Sequence, residues 1–165
     1  MAYDFSKISI LLVEDNAYMR HLMRQLLVAV GVDNEWMREA SDGEAAFEIM
    51  QSFVPDLIIT DLHMSPMDGL TMIKQIRMDR DNPLSFIPII VCTGHAAPRH
   101  IFASRDAGAT EFLAKPVSPE AIYERIREVV ESPRPFVRTD TYAGPDRRRK
   151  NEPFDGEDRR KFGNP

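Results

Sequence analysis

Short all-apolar runs alternate along this chain with stretches whose apolar residues recur every three or four positions. Ile8-Ser9-Ile10-Leu11-Leu12-Val13 stops at acids, as a buried parallel strand does. Asn16 then offers a helix cap, Met19, Leu22, Met23, Leu26, Leu27 and Val30 follow at helical spacing, and Gly31 ends the segment. The pattern predicts a weaker strand over Trp36 to Ala40 and a helix opened by Asp42-Gly43, with Ala45, Ala46, Ile49 and Met50 on one face. Leu57 to Thr60 reads as a third strand, Leu70 to Met78 as a helix, Ile87 to Cys92 as a fourth strand and Pro98 to Ala107 as a helix. Thr110 to Ala114 and Pro119 to Glu131 complete five strand–helix alternations. Connections this short imply right-handed crossovers and a parallel sheet covered on both faces, a doubly wound α/β domain.

In such sheets ligands gather beyond the carboxyl ends of the strands. Those ends carry Glu14 and Asp15 after the first strand, Asp61 after the third, Thr93 after the fourth and Lys115 after the fifth. Crowded carboxylates stay charged only beside a cation, and a few oxygen donors of this kind suit Mg²⁺, which often bridges to a phosphate. Lys115 can neutralise a phosphoryl oxygen and Thr93 can donate to another. An aspartate so placed can attack phosphorus and form an acyl phosphate. Any one of these residues alone would read as an ordinary strand-end or surface group; their joint occurrence at successive strand ends marks a site. Neither His63 nor His95 stands at metal-ligand spacing from a second His or Cys, so zinc is not expected.

L-L-V-E-D-N at 11–16, D-L-H-M-S-P-M-D-G at 61–69, V-C-T-G at 91–94 and E-F-L-A-K-P at 111–116 resemble the motifs of the response-regulator receiver family, the CheY-like domains of two-component signalling. The resemblance covers roughly residues 7–131. It implies a flavodoxin-like five-stranded sheet of order 2-1-3-4-5, and Asp61 as the acceptor of a phosphoryl group from a sensor histidine kinase or phosphotransfer protein. It further implies Mg²⁺ held by Asp15, Asp61 and the backbone carbonyl of His63, with Glu14 acting through water. Thr93 and Lys115 would read the phosphoryl group, and Phe112 would take the aromatic switch position. Phe112 lacks a tyrosine hydroxyl, so its switching would work through packing alone. His63 and His95, two residues beyond Asp61 and Thr93, occupy positions that tune acyl-phosphate lifetime in the family.

Composition changes the picture at the C-terminus. The chain has 165 residues, room for one domain and some length beyond it, and its 43% apolar and 28% charged content excludes a collagen-like or wholly disordered protein. The apolar runs are too short to span a membrane, the start lacks the basic-then-apolar pattern of a signal peptide, and the single Cys92 fits a reducing cytoplasm. Residues 1–135 carry 13 Lys+Arg against 20 Asp+Glu, whereas residues 136–165 carry 8 against 6. Pro133 and Pro135 mark the break. The expected organisation is an α/β domain over 1–132 and, over 133–165, a flexible arginine-rich tail that orders on binding a ligand.

That tail holds a repeat. Tyr142-Ala143-Gly144-Pro145-Asp146-Arg147-Arg148-Arg149 aligns, twelve residues on, with Phe154-Asp155-Gly156-Glu157-Asp158-Arg159-Arg160-Lys161. Arginine forks match phosphates and the O6/N7 edge of guanine, and their planes stack on bases. An aspartate can accept from the guanine N1–H and N2–H₂ edge, while Gly and Pro set turns that aim successive arginines apart. A two-fold, anionic, guanine-rich ligand meets every term, and cyclic di-GMP is one, especially as its intercalated dimer. Tyr142 to Arg148 also resembles the extension of the Cle-type receivers, CheY-like cyclic di-GMP effectors. That resemblance implies action at a flagellar motor switch protein, with effects on motility and surface attachment and recruitment to the motor at the cell pole. The competing reading is an ordinary phosphorylation-driven receiver, or a phosphotransfer intermediate, whose tail only docks a protein partner. A basic tail that merely aids solubility is a blander alternative, though the repeat argues against it. Too few residues follow the α/β domain for a DNA-binding or catalytic output domain, and a nucleic-acid arm is disfavoured by six acids among eight basic residues. The protein is not expected to be an enzyme.

Overall fold

Alternation along the first strand, β1 (Ile10–Val13), divides the interior in two. Leu11 and Val13 join one buried cluster and Ile10 and Leu12 another, because successive side chains of a strand leave on opposite faces. The split repeats in β3 (Leu57–Thr60), where Ile58 opposes Leu57 and Ile59, and in β4 (Ile89–Thr93), where Ile89 and Val91 oppose Ile90 and Cys92. With β2 (Met37–Ala40) and β5 (Glu111–Ala114) these strands form one parallel sheet of order β2-β1-β3-β4-β5, the order expected. Helices α1 (Ala17–Ala29) and α5 (Pro119–Glu131) pack into one cluster; α2 (Gly43–Met50), α3 (Gly69–Met78) and α4 (Pro98–Ala107) pack into the other. The computed structural model describes residues 3–147.

Side-chain caps start four of these helices. Asn16 accepts from the Met19 amide at 3.0 Å, Asp42 from Glu44 and Ala45, Asp68 from Thr71 at 2.7 Å, and Ser118 from Ala121 at 3.1 Å. Each cap satisfies a donor the helix cannot, contributes about 1 kcal/mol, and fixes where the chain leaves the strand end.

Strand starts differ from the apolar pattern for local reasons. Ser9 is drawn out of β1 by Asp56, whose carboxylate accepts from its amide at 3.0 Å and its hydroxyl at 2.9 Å. Trp36 ends a single 3₁₀ turn before β2 and stays exposed. Pro88 has no N–H for the ladder, so β4 begins at Ile89, after a second 3₁₀ turn at Pro83–Phe86.

The expectation that the chain loses its own structure beyond Ser132 is corrected by an antiparallel hairpin of β6 (Phe136–Arg138) and β7 (Ala143–Pro145). Averaged composition hid the reason: four of the tail's six apolar residues, Phe136, Val137, Tyr142 and Ala143, fall in this first part, and the α/β domain offers them a seat. Phe136 packs edge-on against Phe86 at 4.5 Å between ring centroids, and Ala143 is 2% exposed. Arg138 donates to the Arg77 carbonyl at 3.0 Å, while Arg134 bonds the Thr110 carbonyl and pairs with Glu111 at 3.3 Å. Beneath them Arg77 is fully buried, donating to the carbonyls of Gly108 and Ser85, each at 2.9 Å. Burial pushes its pKa down to about 10, so it remains charged at neutral pH. Backbone meets backbone where Gly144 faces Gly108: a Cβ on Gly144 would lie 2.8 Å from the Gly108 Cα and 2.6 Å from the Tyr142 hydroxyl.

Candidate functional site

Parallel register places the strand-end residues side by side. Val13 pairs with Thr60, Thr60 with Val91, and Thr93 with Ala114, so Glu14, Asp61, Thr93 and Lys115 emerge along one edge of the sheet. Lys115 Nζ lies 2.5 Å from Glu14 Oε2 and 3.0 Å from Asp61 Oδ2. The other Asp61 oxygen, Oδ1, accepts from the amides of Leu62 at 2.6 Å and His63 at 3.4 Å. Burial pushes the Asp61 carboxyl up, but the Lys115 ammonium, the Thr93 hydroxyl and the Leu62 amide outweigh it and hold the group below its ordinary value. Glu14 goes the other way: burial raises it despite Lys115 and the Asn16 amide. Lys115 loses by burial and gains more from its two carboxylates, ending above the usual lysine value.

The site therefore holds an ionised aspartate beside a lysine, and Thr93, fully buried, accepts from the His95 amide at 3.2 Å. Asp15 lies next to Glu14 and is exposed. Three carboxylates, those of Glu14, Asp61 and the neighbouring Asp15, against the single Lys115 ammonium leave a surplus of hard, negative oxygen donors, a set that fits Mg²⁺. Gly69 makes this approach possible. Its amide donates to the Leu62 carbonyl at 2.9 Å, and any Cβ there would collide with the Asp61 carbonyl. Phe112, on β5, is half-buried against the cluster that includes α3 and α4.

Residues 10–127 match the family model described as the response regulator receiver domain. The chain belongs to that family. The receiver is 30% identical over 122 residues to the chemotaxis protein CheY-3 of Vibrio cholerae serotype O1, covering 74% of this chain and 91% of that protein. Among solved structures it superposes on the chemotaxis response regulator CheY4 of Vibrio cholerae with a TM-score of 0.65, at 29% identity over 74% of this chain and 98% of that one. The receiver domain of the sensor histidine kinase PA1611 of Pseudomonas aeruginosa superposes with a TM-score of 0.67, at 26% identity over 76% and 98% of the two chains. That structure has a magnesium ion coordinated in its active-site cleft.

The tail residues singled out in the sequence divide into two groups where the structure describes them, and a third lies beyond. Gly144 and Pro145 are buried in the hairpin, where Gly144 allows close packing and the Pro145 carbonyl accepts from the Tyr142 hydroxyl at 2.7 Å. Tyr142, Asp146 and Arg147 face outward in part. The Arg147 guanidinium lies 4.1 Å from the Tyr142 ring centroid and pairs with Asp106 at 3.1 Å. Arg148, Arg149, Gly156, Asp158, Arg159 and Arg160, with the second repeat, lie outside the described residues.

Arg147 also borders a cleft lined by Arg105, Glu111, Phe112 and Arg134, between α4 and the amino end of β5, the end of that strand away from Lys115. Sequence reasoning missed Asp106 and Arg134 because their partners lie far along the chain, and no local spacing marks them. It also missed a gathering of imidazoles. His63, His95 and His100, from two loops and α4, bring their ring nitrogens within 4.8 Å of one another.

Proposed function

We propose that this receiver joins phosphoryl transfer at Asp61 to recognition of cyclic di-GMP by its C-terminal segment, and thereby regulates the flagellar motor, motility and surface attachment. In the first activity an Asp61 oxygen attacks the phosphohistidine of a sensor histidine kinase or phosphotransfer protein; the P–N bond breaks and the imidazole leaves. Mg²⁺, held by Asp15, Asp61 and the His63 carbonyl with Glu14 behind them, supplies charge neutralisation of the phosphoryl oxygens when bound. Lys115 is already within hydrogen-bond reach of Asp61, and Thr93 offers a hydroxyl. The protein acts as a switch and not as an enzyme that turns over.

The observation that carries the nucleotide reading is the Tyr142–Arg147 stack beside the Phe112 cleft. A guanidinium resting on an aromatic face is a preformed platform for a purine, and its remaining donors suit a phosphate or a guanine edge. The twelve-residue repeat supplies a second such motif for a two-fold ligand. The likeness to chemotaxis proteins supports a motor partner.

Calorimetry with cyclic di-GMP on the intact chain tests this reading. Arg147→Ala and Arg160→Ala are each expected to weaken binding by about 1–3 kcal/mol. A chain ending at Asp146 should lose it. Truncation at Ser132 would instead strip the buried hairpin and expose Arg77, confounding ligand loss with unfolding. An intact chain that does not bind would leave the phosphorylation-driven receiver whose tail docks a protein partner. For the first activity, a small acyl-phosphate donor with Mg²⁺ should modify the wild type, and Asp61→Asn should stay unmodified.

A further inference from the structure

We infer that His63, His95 and His100 form a binding site for a borderline divalent transition metal, with Zn²⁺ as the ion best matched to it. The three side chains come from separate places: His63 follows Asp61 by two residues, His95 follows Thr93 by two, and His100 lies in the first turn of α4. Their ring centroids are 4.2, 5.3 and 5.9 Å apart, and one nitrogen from each lies within 4.8 Å of the others. A tetrahedral Zn²⁺ at roughly 2.0–2.1 Å from each nitrogen needs nitrogens roughly 3.3 Å apart. Side-chain rotation alone covers the difference, because the His63 and His95 rings are exposed and His100 is only half-buried.

The donor set selects the ion. Three imidazoles suit zinc, copper or nickel, whereas Mg²⁺ demands oxygen and belongs to the carboxylates nearby. Three protein ligands leave a fourth position open to water or an incoming group. One neighbour opposes the ion: Arg99 donates to His100 Nε2 at 3.4 Å, from an exposed position. It must swing away, so removing its charge should strengthen the site. The site also has a definite place in the receiver. The His63 amide bonds Asp61 Oδ1 and the His95 amide bonds Thr93 Oγ1, so a bound ion would tie together the two loops that border Asp61.

Titration of the full chain with Zn²⁺, followed by calorimetry and by the visible absorption of Co²⁺ as a substitute, tests the assignment. One ion per chain is expected, with a tetrahedral cobalt spectrum, in the presence of excess Mg²⁺. His95→Ala and His100→Ala should each weaken binding about tenfold or more, Arg99→Gln should tighten it, and His21→Ala should leave it unchanged. Loss of zinc binding in excess Mg²⁺, or equal affinity in the wild type and both histidine variants, would overturn the proposal. Because the rings are exposed, a thermal melt of each variant separates ligand loss from misfolding.

Discussion

Lys115 sits between two carboxylates that would otherwise repel, and its removal should be felt as a pH effect. At neutral pH, Lys115→Ala leaves the buried Glu14 and the half-buried Asp61 without their shared ammonium, which should cost about 1–3 kcal/mol. Glu14 already titrates above its ordinary value through burial, and losing Lys115 pushes it higher. A carboxyl raised in the fold binds its proton before the unfolded chain does, so the variant should regain stability as pH falls toward about 5. In the wild type Asp61 is held low, so its contribution is present above the unfolded value and is lost on acidification. Urea unfolding at the two pH values checks this: an equal deficit at both would mean that Lys115 acts through its packing stem. These residues were legible in the sequence because each immediately follows, or ends, an apolar run. The direction of each pKa was not, since it depends on burial and on which oxygen faces the ammonium.

At the scale of elements, the helices of the α/β domain follow their caps and apolar spacing closely, and the strand starts do not. Ser9 and Pro88 show why: a side-chain bond to Asp56 and a missing amide remove apolar-flanked residues from the ladder. The hairpin is the larger departure. Its docking depends on the contact between Gly108, at φ 109° beyond the end of α4, and Gly144. Gly144→Ala places a methyl against the Gly108 backbone and should destabilise the seated hairpin by about 1–3 kcal/mol, as overpacking does. Hydrogen exchange at the Thr139 and Asp146 amides, which close the hairpin onto the Tyr142 and Pro135 carbonyls, should speed up while β3 and β4 stay protected. Unchanged exchange at those amides would show that the backbone contact yields without consequence. From the sequence Gly144 reads as a turn that aims arginines at a ligand; packing gives it a second task.

Over the whole molecule, the hairpin brings the tail to the end of α4 and the start of β5, so a nucleotide bound there and a phosphoryl group on Asp61 would act from opposite ends of β5. The exposed Asp106–Arg147 pair tests that arrangement, because exposed ion pairs contribute little to stability, about 0–1 kcal/mol. Asp106→Asn should leave the melting temperature nearly unchanged and tighten cyclic di-GMP binding by freeing Arg147; weaker binding would instead make Asp106 a ligand contact. The sequence by itself determined the α/β class, the alternating order of its elements and the acid–lysine constellation, because period-two and period-3.6 burial and strand-end placement are local patterns. It also exposed the arginine repeat, a matter of linear order. Only the tertiary structure decided that the tail begins with a docked hairpin, that Arg77 is buried beneath it, that Arg147 meets Asp106, and that three distant histidines converge. Those depend on which surfaces meet after the chain has folded back on itself, and contacts between residues tens of positions apart leave no periodic trace along the sequence.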